Sequence, residues 1–279
     1  PDSPGSLGLA ISEAVEVAGT KVLGVQTTVN KISIGLMSGS AAMSGLHVAN
    51  PEGCKAPEFM VLDLGSVAVT PSSLLENVVR VPKIELSGMH IEFEQRTGGD
   101  SNVDVILGNA KKFAGSGEGP KSSGGSGGGG KKFVIDELTL SEISVTARVA
   151  GVPLADKGIE IKVPKLVLKD IGSGGSDPVG LDQLTGMVVE AVMKAVMEAG
   201  GGQLPQVFSQ SITNGLAGLG DAFNSKMAVD LGSGLKDVGG NVGKAVEDVA
   251  KNAGEAIDKG VKDAAKGVGD AVDGLFKKK

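Results

Sequence analysis

The fold is constrained most by a bent-strand unit that recurs between residues 24 and 172. The unit has apolar residues at alternate positions, a break, and then alternating apolar residues again. In residues 84–93, for example, the apolar residues before the break have even numbers, Ile84 and Leu86. Those after the break have odd numbers, Met89, Ile91 and Phe93. Because side chains alternate between the two faces of a strand, one extra residue, as in a β-bulge, keeps both halves on one face. The unit predicts long strands that bend in the middle.

The same unit recurs in neighbouring segments. Residues 62–69 follow it with a break at Gly65, and residues 138–147 follow it with a break at Ser141. The tripeptide Val-Pro-Lys also appears twice, at 81–83 and at 163–165. Several bent strands side by side form a curved sheet. We therefore predict an α+β protein with a bulged, groove-like and mainly antiparallel sheet.

The apolar phase of these strands defines a predicted inner face. We assign to it Ile32, Ile34, Met43, Leu46, Val48, Leu62, Leu64, Val67, Val69, Ile84, Leu86, Met89, Ile91, Phe93, Leu138, Leu140, Ile143, Val145, Leu166 and Leu168. Two interpretations remain open. The face is either an ordinary core covered by helices from 178–223, or an open groove that holds acyl chains. An aliphatic lining suits flexible hydrocarbon, because it offers dispersion contacts without directional polar demands.

Helical periodicity appears at the N-terminus. In the first region, residues 1–23, the apolar side chains Leu7, Ile11, Ala14, Ala18 and Val22 form one stripe, which predicts an amphipathic helix. The second region, 24–175, is the repeated-strand domain. Within it, residues 114–130 are rich in glycine and serine and predict a flexible linker.

A helical pair is predicted over residues 176–223. Asp177 and Pro178 are typical of a helix start, since a carboxylate caps the first turn and proline fits the first helical position. Leu181, Leu184, Val188, Ala191, Ala195 and Ala199 form one stripe of this first helix. The glycines at 200–202 end it, and a second helix is expected from Pro205 to Phe223.

The C-terminal tail, 224–279, has apolar residues about every 3.6 positions from residue 235 onwards, which is the period of an α-helix. Its many glycines weaken such a helix. The tail could pack on a lipid surface, on this protein or on another copy, or it could be a partly disordered solubilising tail. Leu275, Phe276, Lys277, Lys278 and Lys279 favour contact with an anionic membrane.

Composition excludes several functions. The chain has no Trp, no Tyr and seven Phe, which is a poor platform for stacking single-stranded nucleic acid. The formal net charge of −6 argues against binding a duplex. His47 and His90 lack ligand-spaced partners, so no metal, cofactor or catalytic site is predicted. Cys54 is the single cysteine, which rules out an internal disulfide, and we expect it to be a small buried apolar side chain whose pKa Lys55 could lower.

A family resemblance follows from the segment Gly45-Leu46-His47-Val48-Ala49-Asn50-Pro51-Glu52-Gly53. It is similar to the Gly-Leu-x-Val-x-Asn-Pro-x-Gly turn of AsmA-family proteins. The order that follows is also similar: Leu64–Val69, Ser73–Leu75, Val81–Phe93 and then Ser101-Asn102-Val103, where the family has an Asn opening a short helix, here Asp104–Phe113. The resemblance covers about residues 20–172. The family usually has an aromatic residue where this chain has Cys54.

The resemblance implies an envelope protein of a Gram-negative-type bacterium, in the periplasm or at the inner membrane, with an N-terminal membrane anchor that this sequence does not contain. It also implies a curved β-groove that binds lipid, related to bridge-like lipid-transfer proteins. We therefore predict a non-enzymatic protein that binds or transfers phospholipid acyl chains. The alternative is a structural protein that assembles into a homo-oligomer, filament or larger complex through edge strands and amphipathic helices.

Overall fold

The computed structural model describes residues 4–35, 38–96, 99–115, 131–149, 158–173, 177–219 and 228–230. The chain divides into two units, 1–234 and 235–279, and the description concerns the first. The predicted linker from residue 116 to 130 lies outside the described residues. So does the predicted tail apart from 228–230, including the proposed membrane contacts Leu275, Phe276, Lys277, Lys278 and Lys279.

The predicted α+β class and the mainly antiparallel sheet are confirmed. The helices are α1 (Pro4–Leu23), α2 (Asn102–Gly115), α3 (Leu181–Gly200) and α4 (Gln206–Leu216). The strands are β1 (Thr27–Gly35), β2 (Ser40–Ala49), β3 (Glu58–Ala68), β4 (Val78–Glu94), β5 (Lys132–Arg148), β6 (Ile159–Val163), β7 (Leu166–Ile171) and β8 (Ala228–Asp230). Short 3₁₀ turns follow β3 and α3.

One open sheet contains all eight of these strands, in the order β1-β2-β3-β4-β5-β7-β8, with β6 also paired to β5. Neighbouring strands are antiparallel except β4 and β5, which are parallel and joined by a connection that carries α2. Strands β6 and β7 pair with the same edge of β5 and are separated by Pro164, which has no N–H to donate. The second Val-Pro-Lys segment is thus a break between two collinear strands.

The change of apolar phase predicted in β4 is present, without the register shift of a one-residue bulge. Ile84 is buried before the break, and Met89, Ile91 and Phe93 are buried after it. Gly88 lies between them with φ of +74°, and a Cβ there would lie 2.5 Å from Asp63 Oδ2. The interruption in pairing crosses five strands, at Asn30, Gly45, Asp63, Gly88 and Glu142.

The bend predicted at Gly65 of β3 is displaced to Asp63 and Leu64. A Cβ on Gly65 would lie 3.1 Å from Met43 Cε and 3.2 Å from Leu86 Cδ2, so Gly65 lies on the same face as those side chains. Leu64 is the adjacent residue and therefore lies on the opposite face, where it is 59% exposed. Its assignment to the inner face was wrong, because Gly65 provides room for its neighbours rather than the bend.

Helix α1 extends over the predicted region, but its buried face differs from the predicted stripe. Ile11 and Ala14 are exposed, whereas Gly8 and Gly19 are buried. A Cβ would lie 3.0 Å from Ile32 O at position 8 and 2.7 Å from Thr27 Cγ2 at position 19. Small residues therefore face β1 because they allow close approach, and since Ala18 and Val22 are also buried, the contact face overlaps the predicted stripe only in part.

Polar side chains of α1 also cap the outer edge of β1. Thr27 N donates to Thr20 Oγ1 at 3.0 Å, and Val29 N donates to Glu16 Oε1 at 2.8 Å. An edge strand with free backbone groups invites pairing with another chain. Helix α1 occupies this part of the edge.

The remaining helices pack on the face of the sheet that we call the inner face, which carries Ile91, Val145 and Ile161. Helix α3 contacts β5 and β6, α2 contacts β4, and α4 contacts α2 and α3. Phe59, Phe93 and Phe208 link β3, β4 and α4 by ring contacts, with centroids 6.4 and 5.5 Å apart. The most deeply buried core lies beneath these helices.

The predicted start of α3 at Asp177 and Pro178 was wrong. The helix begins at Leu181, and its N-cap Gly180 makes no side-chain cap hydrogen bond. Val179 instead exchanges two backbone hydrogen bonds with Phe133 of β5, which holds the preceding residues in an extended conformation. The second helix ends at Leu216 rather than Phe223, and residue 223 lies outside the described ranges.

Candidate functional site

Inner-face side chains form rows that cross the sheet from strand to strand. One row consists of Ile32, Met43, Gly65, Leu86, Leu140 and Leu166, and the next of Ile34, Ala41, Val67, Ile84, Leu138 and Leu168. In both rows the residues on β5 and β7 are more buried than those on β1 and β2. Ile32 and Met43 are half-buried, whereas Leu140 and Leu166 are fully buried. The inner face is therefore sealed at one side of the sheet and partly exposed at the other.

The predicted inner-face residues divide accordingly. Buried are Val48, Leu62, Ile84, Met89, Ile91, Phe93, Leu138, Leu140, Ile143, Val145, Leu166 and Leu168. Partly exposed are Ile32, Ile34, Met43, Leu46, Val67, Val69 and Leu86, while Leu64 lies on the other face. The buried set has the environment of an ordinary core covered by helices. Six of the partly exposed residues, Ile32, Ile34, Met43, Val67, Val69 and Leu86, are hereafter called the partly exposed strip.

Helices lie near the partly exposed strip, and α1 contacts α2 and α3 as well as β1. Helix α1 packs on β1, and α3 packs on β5 and β6. The side of α1 that buries Ala18 and Val22 continues towards its N-terminus through Ile11, which is 38% exposed. Ile11 is therefore partly accessible to solvent on this side of α1.

Two small residues of the inner face were missed by the sequence analysis. Ala41 and Gly65 complete the two rows between larger side chains. Small side chains carry little hydrophobic signal, so periodicity alone does not single them out. Their positions do follow from the register once the strand bends are known.

The two asparagines of the family-like segments have a structural role. Asn102 Nδ2 donates to Asn50 Oδ1 at 2.8 Å and to Glu92 O at 2.7 Å, and Asn102 Oδ1 accepts from Glu94 N at 2.9 Å. Asn50 Nδ2 in turn donates to Ala56 O and Glu58 O. This network ties the Asn-Pro turn, the end of β4 and the start of α2 together, which explains why an asparagine opens the helix.

Glu94 is a buried carboxylate at the end of β4. Its carboxylate accepts hydrogen bonds from Lys55 N at 2.6 Å and Ala56 N at 3.0 Å, which satisfy the charge locally. Burial, and next the Glu94 carboxylate, raise the pKa of the Cys54 thiol, and Arg96 opposes this only in part. The thiol therefore stays protonated at neutral pH, and the expected pKa-lowering influence of Lys55 does not appear among the causes.

The two histidines lie on the outer face of the sheet. His47 Nδ1 lies 2.6 Å from Glu58 Oε1, and His90 Nδ1 lies 2.8 Å from Ser144 Oγ. Among the described residues, no group of three or more His, Cys, Asp or Glu side chains is placed to hold a metal ion. None of the helices in the described ranges has the length and apolar character needed to cross a membrane.

These features define a class: an α+β protein whose open, mostly antiparallel sheet carries helices on one face. No protein-family model matches the chain, and no match is found among curated proteins or solved structures. The resemblance to the AsmA family therefore stays a prediction from its motif residues.

Proposed function

We propose that this protein binds phospholipid acyl chains over the partly exposed strip. The observation that carries the proposal is the fall in burial along single rows of aliphatic side chains, from Leu166 and Leu140 to Met43 and Ile32. Covering water-exposed apolar surface with hydrocarbon is favourable by about 25 cal/mol per Å² of surface. The strip is aliphatic, so it can accept a flexible chain in many conformations.

In this proposal the protein shields an acyl chain and makes or breaks no bond. The strip would be the surface that the acyl chain covers, next to helices α1 and α3, which contact each other. The resemblance to AsmA-family proteins supports a location in the periplasm or at the inner membrane of a bacterium. Its partners there would be phospholipid and the membrane surface.

Assembly into a homo-oligomer or larger complex is the other function considered. Pairing through the β1 edge is the less favoured route, because Glu16 and Thr20 of α1 hydrogen-bond to its backbone N–H groups. The exposed Leu64 on the outer face would be available for protein contacts. This alternative therefore predicts a lipid-free oligomer that depends on Leu64.

The test incubates the protein with vesicles of phosphatidylethanolamine and phosphatidylglycerol and then measures bound phospholipid by native mass spectrometry. Val67→Glu and Leu64→Glu are a matched pair on β3, since Val67 lies in the strip and Leu64 on the opposite face. We expect bound phospholipid on the parent and on Leu64→Glu, and at least a tenfold loss on Val67→Glu. A buried charge facing hydrocarbon is costly, which gives the direction.

Circular dichroism and thermal unfolding first establish that both variants are folded. Equal losses in the two variants, or no phospholipid on the parent, would refute the proposal. A lipid-free oligomer that Leu64→Glu dissociates would support the assembly function instead.

A further inference from the structure

A second candidate site lies on the outer face, away from the partly exposed strip. It is a cavity of about 620 Å³ at the end of β3, β4 and β5, bordered by the loop 53–57. His90, Glu92 and Arg148 line it from the strands, and Lys55 and Arg96 line it from the adjoining loops. Its size is in the range of small-molecule sites.

The carboxylates of this cavity already have partners. Glu92 forms an ion pair with Arg148, and Glu58 pairs with His47 at 2.6 Å. Glu94 is buried and accepts from two backbone N–H groups at 2.6 and 3.0 Å. The negative charges are therefore engaged within the protein.

Two cations are less compensated. Arg96 Nη1 and Nε donate to the backbone carbonyls of Glu52 at 2.9 Å and Asp100 at 3.2 Å, which are neutral acceptors. Among the described residues, no carboxylate lies within ion-pair distance of Arg96 or of the exposed Lys55. A guanidinium has five donors and an ammonium has three, so both side chains retain N–H groups for a ligand.

We propose that this cavity binds a small organic anion, whose carboxylate or phosphate group is held by Lys55 and Arg96. Pro57, Val61 and Val149 also line the cavity and provide an apolar wall for a short hydrocarbon portion. Charge-assisted hydrogen bonds from Arg and Lys are the stronger class of hydrogen bond, and guanidinium geometry matches both kinds of anion. The proposal is independent of lipid binding at the strip.

Isothermal titration calorimetry with hexanoate, hexyl phosphate and 1-hexanol tests the proposal, because the three probes share a tail and differ in the head group. We expect saturable binding of one or both anions, little binding of the alcohol, and weaker binding at higher salt. Lys55→Gln should weaken anion binding about tenfold or more, as expected for the loss of a charged hydrogen bond. Lys169→Gln makes the same charge change at an exposed position of β7 and should have no effect.

Glu92→Gln supplies a second variant with the opposite expected sign. Removing this carboxylate frees Arg148 and lowers the negative charge of the cavity, so anion binding should tighten severalfold. Val67→Glu should leave anion binding unchanged, which separates the cavity from the strip. The proposal fails if neither anion saturates, if 1-hexanol binds as tightly as hexanoate, or if Lys55→Gln and Lys169→Gln behave alike.

Discussion

Gly88 and Glu142 occupy equivalent positions in the parallel strands β4 and β5, and both have positive φ, +74° and +54°. Gly88→Ala should lower the free energy of unfolding by about 1–2 kcal/mol, because an L-residue in this conformation is strained. The new Cβ would also approach Asp63 Oδ2. Glu142→Gly should stay within about 1 kcal/mol of the parent, since relief of strain offsets greater freedom of the unfolded chain. Urea unfolding measures both, and equal destabilisation would show that φ does not set the bend.

Glu198 lies in the last turn of α3, where burial raises the pKa of its carboxyl above the ordinary value of 4.5. Its Oε1 has no hydrogen-bond partner among the described residues. A raised pKa in the folded state makes the folded protein favour the protonated form. Stability is therefore fully present below the ordinary pKa and declines as pH rises through the raised value.

Glu198→Gln should consequently raise the midpoint of thermal unfolding at pH 7 and lose this advantage near pH 4. The exposed Glu13→Gln on α1 is the control and should change neither midpoint. An equal gain for Glu198→Gln at both pH values would exclude ionisation as the cause.

At the scale of elements, α1 shows where a sequence pattern and a packed helix diverge. Gly19 faces Thr27, and its replacement by Val would place Cβ about 2.7 Å from Thr27 Cγ2. Valine has a higher helix propensity than glycine, so an isolated helix would gain stability. In the protein we expect a loss of about 1–3 kcal/mol, because α1 must move away from β1. Ala14→Val, at an exposed position, should change the free energy of urea unfolding by less than about 0.5 kcal/mol. A stabilised Gly19→Val would mean that this contact is loose.

Whether a feature of an element could be predicted from the sequence depends on its physical cause. The strands and the bend at Gly88 were predictable, because an apolar alternation that changes phase has few solutions in a sheet. The side of α1 that packs on β1 was not predictable, because glycine carries no hydrophobic signal although it permits the closest approach to β1. The start of α3 was missed because Val179 pairs with Phe133, a contact between residues far apart in the sequence.

At the scale of the whole molecule, the inner face was predictable as a set, apart from Leu64. Which part of it the helices cover was not predictable from alternation, because burial depends on where α1, α2 and α3 lie. Val67 and Leu168 belong to the same cross-strand row, yet only Leu168 is fully buried. The same limit applies to the outer-face cavity, whose residues come from three strands and the segments that adjoin them.

The gradient of burial makes a prediction about the molecule as a unit. Met43 and Leu166 belong to one row, but Leu166 is fully buried and Met43 is not. Leu166→Ala should lower the free energy of urea unfolding by about 2–5 kcal/mol, whereas Met43→Ala should cost about 1 kcal/mol or less because its side chain already meets water. Equal losses would show that the β1–β3 side is covered as tightly as the β5–β7 side. A tightly covered strip would leave no apolar surface for an acyl chain, so this comparison tests the physical basis of lipid binding without any lipid present.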